Sequence, residues 1–249
     1  MHLKTLVSGY AGSGKSYFAL THPKIAWLLT EPGNEVLLET HPELAKNVVW
    51  KEEYLPSPTE DIKAVFERLE KDSIRAHKEF AEGKIETLVL DNVSMLSENR
   101  FIYIQQYERT VNRAGEMDTR AMYGSLGRWL YLFTLKNILS FKGNVVLTCH
   151  EMEEEEQNEK GMSVKTGNVI PNILGGFREK VEGMFSASIY LDKKNAGQGM
   201  YKYMARCQKG GGRNAKNRYG LSEWVENVSY PEIIRLIEAK KSKQAVNVG

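Results

Sequence analysis

Cysteine is scarce in this 249-residue chain, with only Cys149 and Cys207 present. Two isolated thiols supply neither a disulfide framework nor the paired spacing of a zinc site, and they fit a reducing compartment. Long apolar runs are missing too, so no segment reads as a membrane span. The N-terminus opens on a short apolar strand rather than a basic, hydrophobic leader. These absences point away from secretion and membrane insertion, toward the cytoplasm. No internal repeat interrupts the sequence, and no linker is long enough to separate domains. Net charge is small as well, a formal +2, which alone does not mark a nucleic-acid binder. What remains is ordinary for a globular chain, 41% hydrophobic and 27% charged, and long enough to build a core without staples.

The small net charge hides a split. Glu151 to Glu156 contains five glutamates, whereas Lys193 to Arg218 contains eight Lys/Arg and no Asp or Glu. The two stretches nearly cancel in the total.

The most informative stretch is Gly9-Tyr10-Ala11-Gly12-Ser13-Gly14-Lys15-Ser16, followed by Tyr17. It completes the pattern G-x-x-x-x-G-K-S between an apolar strand (Leu3 to Ser8) and a helix start (Lys15 to Leu20). Glycines let the backbone turn its N–H groups inward on a polyphosphate, and the helix start adds unpaired donors. Lys15 can then reach the terminal phosphates, and the Ser16 hydroxyl can ligate Mg2+. Pattern and context together predict a nucleotide site.

Further along, apolar strands are predicted over Lys24 to Thr30, Asn47 to Trp50, Glu86 to Asp91 and Gly143 to His150. Helices are predicted over Thr59 to Phe80, opened by a Ser57–Glu60 capping box, and over Met95 to Arg113 and Met122 to Leu139. Glu151 to Gly176 lacks periodicity and is expected to be a mobile loop. Phe185 to Leu191 and Met200 to Gln208 alternate like antiparallel strands, and Ser229 is expected to cap a last helix reaching Lys241. Strands alternating with helices predict an α/β fold: a mostly parallel sheet with helices on both faces and a C-terminal antiparallel extension. Residues 1–249 are expected to form one domain. Its core would span about 1–192, a basic hairpin and final helix 193–241, and a polar tail 242–249.

A phosphate loop needs an acid for its metal. Asp91 ends an apolar strand, and strand ends line the ligand crevice of such sheets, so Ser16 and Asp91 are the predicted metal pair. Capping of the next helix is the alternative role for Asp91. Asn92 follows it, not a glutamate, so a water-orienting carboxylate must come from elsewhere. Glu31, ending its own strand, is that candidate; a turn residue ahead of Pro32-Gly33 is its alternative. His150 ends the fourth strand and is placed to sense the terminal phosphate; a local structural hydrogen bond is its alternative.

This set resembles the RecA-type ATPase core: the loop, a strand-end Glu in "LLTEPG", the Asp of "LVLDN", and the polar strand end of "VVLTCH". With the compact length and the closing "RNAKNRYGL", it looks like the phage-encoded RecA-like ATP-binding proteins, some of which are single-strand annealing recombinases. The resemblance covers roughly Leu3 to Leu221. It implies a RecA-like fold, ATP with Mg2+, cooperation between subunits of a homo-oligomer, and single-stranded DNA as partner. It also implies a basic side chain supplied by the neighbouring subunit. The turn "QKGGGRNAKNR" (Gln208 to Arg218) is expected to present Lys209 and Arg213 outward for that role, with a solvated hairpin tip or phosphate-backbone contacts to DNA as the alternatives. Two departures stand out. RecA carries glutamine where His150 falls, and the segment after that strand begins with glutamates that repel phosphate. DNA contacts there would fall to Lys160, Lys165 or Asn168, or to the basic stretch, where Tyr201, Tyr203 and Tyr219 sit among cations suited to stacking on bases; plain strand alternation, with the tyrosines half buried and the basic residues solvated, is the alternative. A nucleotide or small-molecule kinase and a non-hydrolysing, nucleotide-gated assembly protein remain as alternatives.

Overall fold

Five runs rich in Val, Leu, Ile and Trp are buried on both faces, the signature of strands covered by helices on either side. In the computed structural model, which describes residues 1–108, 110–159, 161–197 and 200–246, they are β1 (Lys4–Gly9), β2 (Ile25–Leu29), the later β4 (Thr87–Asp91), and the first halves of β5 (Asn144–Gln157) and β7 (Ala187–Gly197). A sixth strand, β3 (Val48–Glu53), lies at the sheet edge and alternates half-buried with exposed residues. These six run parallel in the order β7-β1-β5-β4-β2-β3. Beyond β7 the sheet turns antiparallel through β8 (Met200–Arg206) and β10 (Trp224–Glu226). The strand β6 (Ser163–Pro171) pairs antiparallel with β5, and the two-residue β9 (Lys216–Asn217) with β7.

Alternation along each strand sends neighbouring residues to opposite faces. Leu6, Leu28, Leu88, Leu90, Val145 and Leu147 meet α4 (Ile62–Ala81), α5 (Val93–Tyr107) and α6 (Thr119–Phe133) through Phe66, Leu69, Leu96, Leu126 and Leu130. Val7, Trp27, Leu29, Val89 and Val146 meet α1 (Lys15–Leu20) and the final α8 (Tyr230–Val246) through Phe18, Leu20, Ile233 and Ile237. Short α2 (Val36–Thr40), α3 (Pro42–Ala45) and α7 (Arg178–Met184) complete the helices. The expected α/β sheet, helical on both faces with an antiparallel extension, is present. Among the described residues no helix is long and apolar enough to cross a membrane.

Several local expectations are corrected. Most of Glu151 to Gly176 is not a loop: β5 runs on to Gln157 and pairs with β6 as a ribbon that ends at Pro171. Cross-strand partners hold it, Lys165 on Glu153, Ser163 on Glu155, and Thr166 with Asn168 on Glu154. A ribbon wetted on both faces needs no apolar period, so periodicity passes over it. The cap of α4 is Asp61, which accepts from Lys63 N at 2.8 Å, while Glu60 is drawn to Arg68. The helix expected to reach Arg113 stops at Tyr107, and α6 continues as π-helical turns over Thr134–Leu139. The last helix passes Lys241 to Val246, taking in a portion of the expected tail; residues 247–249 lie outside the described residues.

His22 follows α1 and is fully buried against Phe18 and Tyr230. Burial pushes its pKa down to about 4, against the opposing pull of the Phe18 and Ala19 carbonyls that its Nδ1 faces. A depressed folded pKa means the unfolded chain binds the extra proton first. The stability His22 contributes is therefore complete above the unfolded value near 6.5 and is lost as pH falls toward 4. Urea titrations across that window should show wild type losing roughly 3 kcal/mol relative to His22→Leu. Parallel curves for the two proteins would refute a buried neutral imidazole.

Candidate nucleotide site

Strand register assembles the site. Gly9 pairs with His150 across β1 and β5, and Leu29 with Asp91 across β2 and β4. The ends of four parallel strands thus converge where β1 passes into α1. In the connecting loop Gly12 and Gly14 hold φ of 71° and 92°, left-handed angles that favour glycine. A Cβ on Gly9 would come within 2.3 Å of Ser13 Oγ and 2.8 Å of the Leu191 carbonyl, so only glycine fits. Lys15 is buried and donates to the Gly9 and Tyr10 carbonyls, both at 2.9 Å. Burial lowers its pKa, an effect opposed by the charges of Asp91 and Glu31.

Asp91 is wholly buried. Thr148 Oγ1 donates to one carboxylate oxygen, Asn34 Nδ2 donates to the other at 3.1 Å, and the Ser16 hydroxyl hydrogen-bonds the same group. Burial raises its pKa; the Thr148 and Ser16 bonds oppose that rise, and the Glu31 charge adds to it. A carboxylate so placed gains from a divalent cation. Its pairing with a serine hydroxyl supplies hard oxygen donors of the kind Mg2+ takes beside phosphate oxygens and water. Among the described residues no group of three His, Cys, Asp or Glu could hold a metal; this donor set does not need one. The cap of α5 is not Asp91 but Asn92, whose Oδ1 accepts from Met95 N at 2.8 Å.

Glu31 faces this pair. Its Oε1 accepts from His150 Nε2 at 3.0 Å, and its Oε2 accepts from Asn92 Nδ2 and, at 3.5 Å, from Asn34. Burial works to raise its pKa, but the hydrogen bond and charge of His150 and the charge of Lys15 outweigh it, and the net direction is down. The carboxylate is ionised and can accept a proton from water. His150 Nδ1 lies 3.3 Å from Lys15 Nζ. The imidazole thus bridges Lys15 and Glu31 through its two ring nitrogens, with Asn92 Nδ2 3.1 Å from Nε2. Lys15, His150, Glu31 and Asp91 form one polar cluster.

Sequence reasoning misses four members of this site. Asn34 and Thr148 carry no motif, and Asn92 stands out in the sequence only for not being glutamate. Tyr203, read either as a stacking platform for single-stranded DNA or as a half-buried strand tyrosine, is half-buried, with its ring over Gly14 and stacked on Tyr17. Tyr219 is likewise withdrawn: its hydroxyl accepts from Lys4 N and its ring packs with the inner core. Tyr201 does stand out, 52% exposed with Lys193 Nζ 4.6 Å above its ring.

Arg213 does not project outward. It grips Glu151 through two hydrogen bonds, Nη2 to Oε1 at 2.7 Å and Nε to Oε2 at 3.1 Å. The Glu151 side chain has no exposure, and a buried acid claims the nearest fork of donors. Lys209 is exposed, on the rim of a separate cavity of about 610 Å³ that Arg178, Glu179 and Asn214 also line. Lys165 and Asn168 are spent on ribbon glutamates, and Lys160 lies outside the described residues.

A model of the AAA_24 family, described as an AAA domain, matches residues 1–219. No curated protein sequence matches the chain. Among solved structures the chain is similar to a KaiC-like protein from the hyperthermophilic archaeon Pyrococcus horikoshii OT3, at 13% identity over 83% of this chain and 78% of that one, with a TM-score of 0.40. It is also similar to an ATPase of the type III secretion system of pathogenic bacteria. There the identity is 14% over 76% of this chain and 51% of that one, and the TM-score is 0.47.

The Arg213 contact has a measurable cost. Arg213→Ala strands a carboxylate in the interior and should lower unfolding free energy by about 3 kcal/mol, as when one partner of a buried ion pair is removed. Lys209→Ala should leave stability within about 0.5 kcal/mol of wild type, the usual range for a surface change. Urea unfolding of both variants decides; equal, small effects would mean that the Arg213 pair carries no structural weight.

Proposed function

The chain belongs to the AAA_24 family of AAA domains, and on that footing we propose that it is an Mg2+-dependent ATPase acting with single-stranded DNA. The observation that carries the enzymatic half is the Lys15–His150–Glu31–Asp91 cluster beside the glycine loop. In this reading the backbone N–H groups of the loop from Tyr10 to Ser16 cradle the phosphates. The Lys15 amine moves from the Gly9 and Tyr10 carbonyls to the terminal phosphoryl oxygens. Ser16 and Asp91 hold Mg2+, which when bound offsets negative charge on those oxygens. Ionised Glu31 orients the attacking water and takes its proton. His150 touches both Lys15 and Glu31, so a change at either is felt at the start of the ribbon.

For the DNA half, the β7–β8 hairpin supports the reading. Lys193 is exposed there over the Tyr201 ring, an aromatic-and-cation pair suited to a single strand, and Lys194 and Lys202 are exposed on the opposite face of the hairpin. The resemblance to RecA-type recombinases favours a homo-oligomer working in annealing or strand pairing. Lys209, free of the restraint on Arg213, is then the candidate cation for a neighbour's site.

Lys15→Ala should abolish ATP binding in a folded protein. Glu31→Gln should keep ATP bound yet slow hydrolysis about a hundredfold or more, the scale of general-base loss. Turnover of wild type should rise when single-stranded oligonucleotide is added. A phosphate-release assay with and without DNA, beside equilibrium nucleotide binding, checks all three. Tight binding without turnover would favour the nucleotide-gated assembly protein, and near-normal turnover in Glu31→Gln would move the base elsewhere.

A further inference from the structure

The phosphate machinery occupies only the inner region of its pocket. A cavity of roughly 230 Å³ runs outward from the loop, Glu31 and His150 to Tyr17, Leu37, His41 and Tyr203. Tyr17 and Tyr203 stack with ring centroids 5.8 Å apart and planes 16° apart, and His41 meets Tyr17 edge-on at 5.1 Å. Tyr203 arrives from β8, far along the chain, and its seat is built for it. A Cβ on Gly14 would lie 2.6 Å from its Cδ1 atom. The bare Gly14 thus serves the left-handed turn and the aromatic contact at once. Nothing in phosphate binding calls for these rings.

We infer that this outer region is the nucleobase subsite, and that it holds purine nucleoside triphosphates by stacking on Tyr203 without reading the edge of the base. The inference rests on the nucleotide reading above. Stacking suits every base and rewards the larger face of a purine. Reading adenine against guanine needs a fixed donor or acceptor, and among the described side chains that line the outer pocket none is committed to that task. The tyrosine hydroxyls donate or accept alike. His41 Nδ1 is turned to Glu43 Oε1 at 3.2 Å. Asn34, the one carboxamide among the described lining residues, spends its amide group on Asp91 and Glu31 at the inner end. A site without such a group discriminates weakly between ligands that differ only there.

Calorimetric titration of the full chain with ATP, GTP, CTP, UTP and inorganic tripolyphosphate, all with Mg2+, tests this. ATP and GTP should bind within about fivefold of each other, and the pyrimidine nucleotides about tenfold more weakly. Tyr203→Leu keeps bulk over Gly14 but removes the π face. It should weaken ATP and GTP about tenfold while leaving tripolyphosphate within about twofold, and Tyr203→Phe should match wild type throughout. A preference for ATP over GTP above about a hundredfold would overturn the inference by showing edge reading. Equal losses of ATP and tripolyphosphate in Tyr203→Leu would overturn it by making Tyr203 a prop for the loop. If wild type binds neither tripolyphosphate nor any nucleotide, the nucleotide reading itself falls, and the base subsite with it.

Discussion

Asp91 is an acid with no exposure to water, and its needs organise this end of the molecule. A carboxylate in that position must be hydrogen-bonded, kept neutral, or paired with a cation. The donors come from three other segments of the chain: Thr148 from β5, Asn34 from the segment after β2, and Ser16 from α1. Each must be held in place by its own element, so the parallel order of β2, β4, β5 and β1 is what makes the burial tolerable. Asp91, Glu31 and Lys15 then tune one another. Lys15 helps keep Glu31 ionised, and Glu31 helps push Asp91 upward.

What could be read in the sequence was whatever is consecutive or ends an apolar run. The glycine loop is one unbroken string, and Asp91, Glu31 and His150 each close a strand whose apolar residues announce it. The structure brings all of them together. Less legible were groups recruited across the chain. Asn34 and Thr148 have no neighbours that mark them, and the distance of Tyr203 from the loop in sequence hid its place over Gly14. Asp61 outcompeted the Ser57–Glu60 box because its side chain already reaches Lys63 N, whereas Glu60 is pulled aside by Arg68. The β5–β6 ribbon escaped notice because its stability lies in polar cross-strand pairs, which leave no hydrophobic period.

The charge split in the sequence resolves into two neighbouring hairpins. Both β5 and β7 flank β1 and run parallel to it, and each continues into an antiparallel ribbon beyond the parallel sheet. The glutamates go with one ribbon, while Lys193, Lys194 and Lys202 go with the other. The nucleotide loop springs from the strand between them. Arg213 and Glu151 tie the glycine turn to the base of the acidic ribbon, so the basic stretch gives up one of its cations to the acid next to His150.

That adjacency fixes the reading frame of β5. Successive strand residues face opposite ways, so His150 looks into the polar cluster while Glu151 looks back toward Arg213. A slip of one residue against β1 would put Glu151 in the place of His150, aiming a carboxylate at the phosphate loop, and Met152 in the place of Glu151, leaving the Arg213 guanidinium without its acid. Both errors carry an electrostatic penalty, on opposite sides of the same ribbon. Two consecutive side chains of different charge therefore act as a proofreader of strand alignment, and only the correct frame leaves neither side with an orphaned charge.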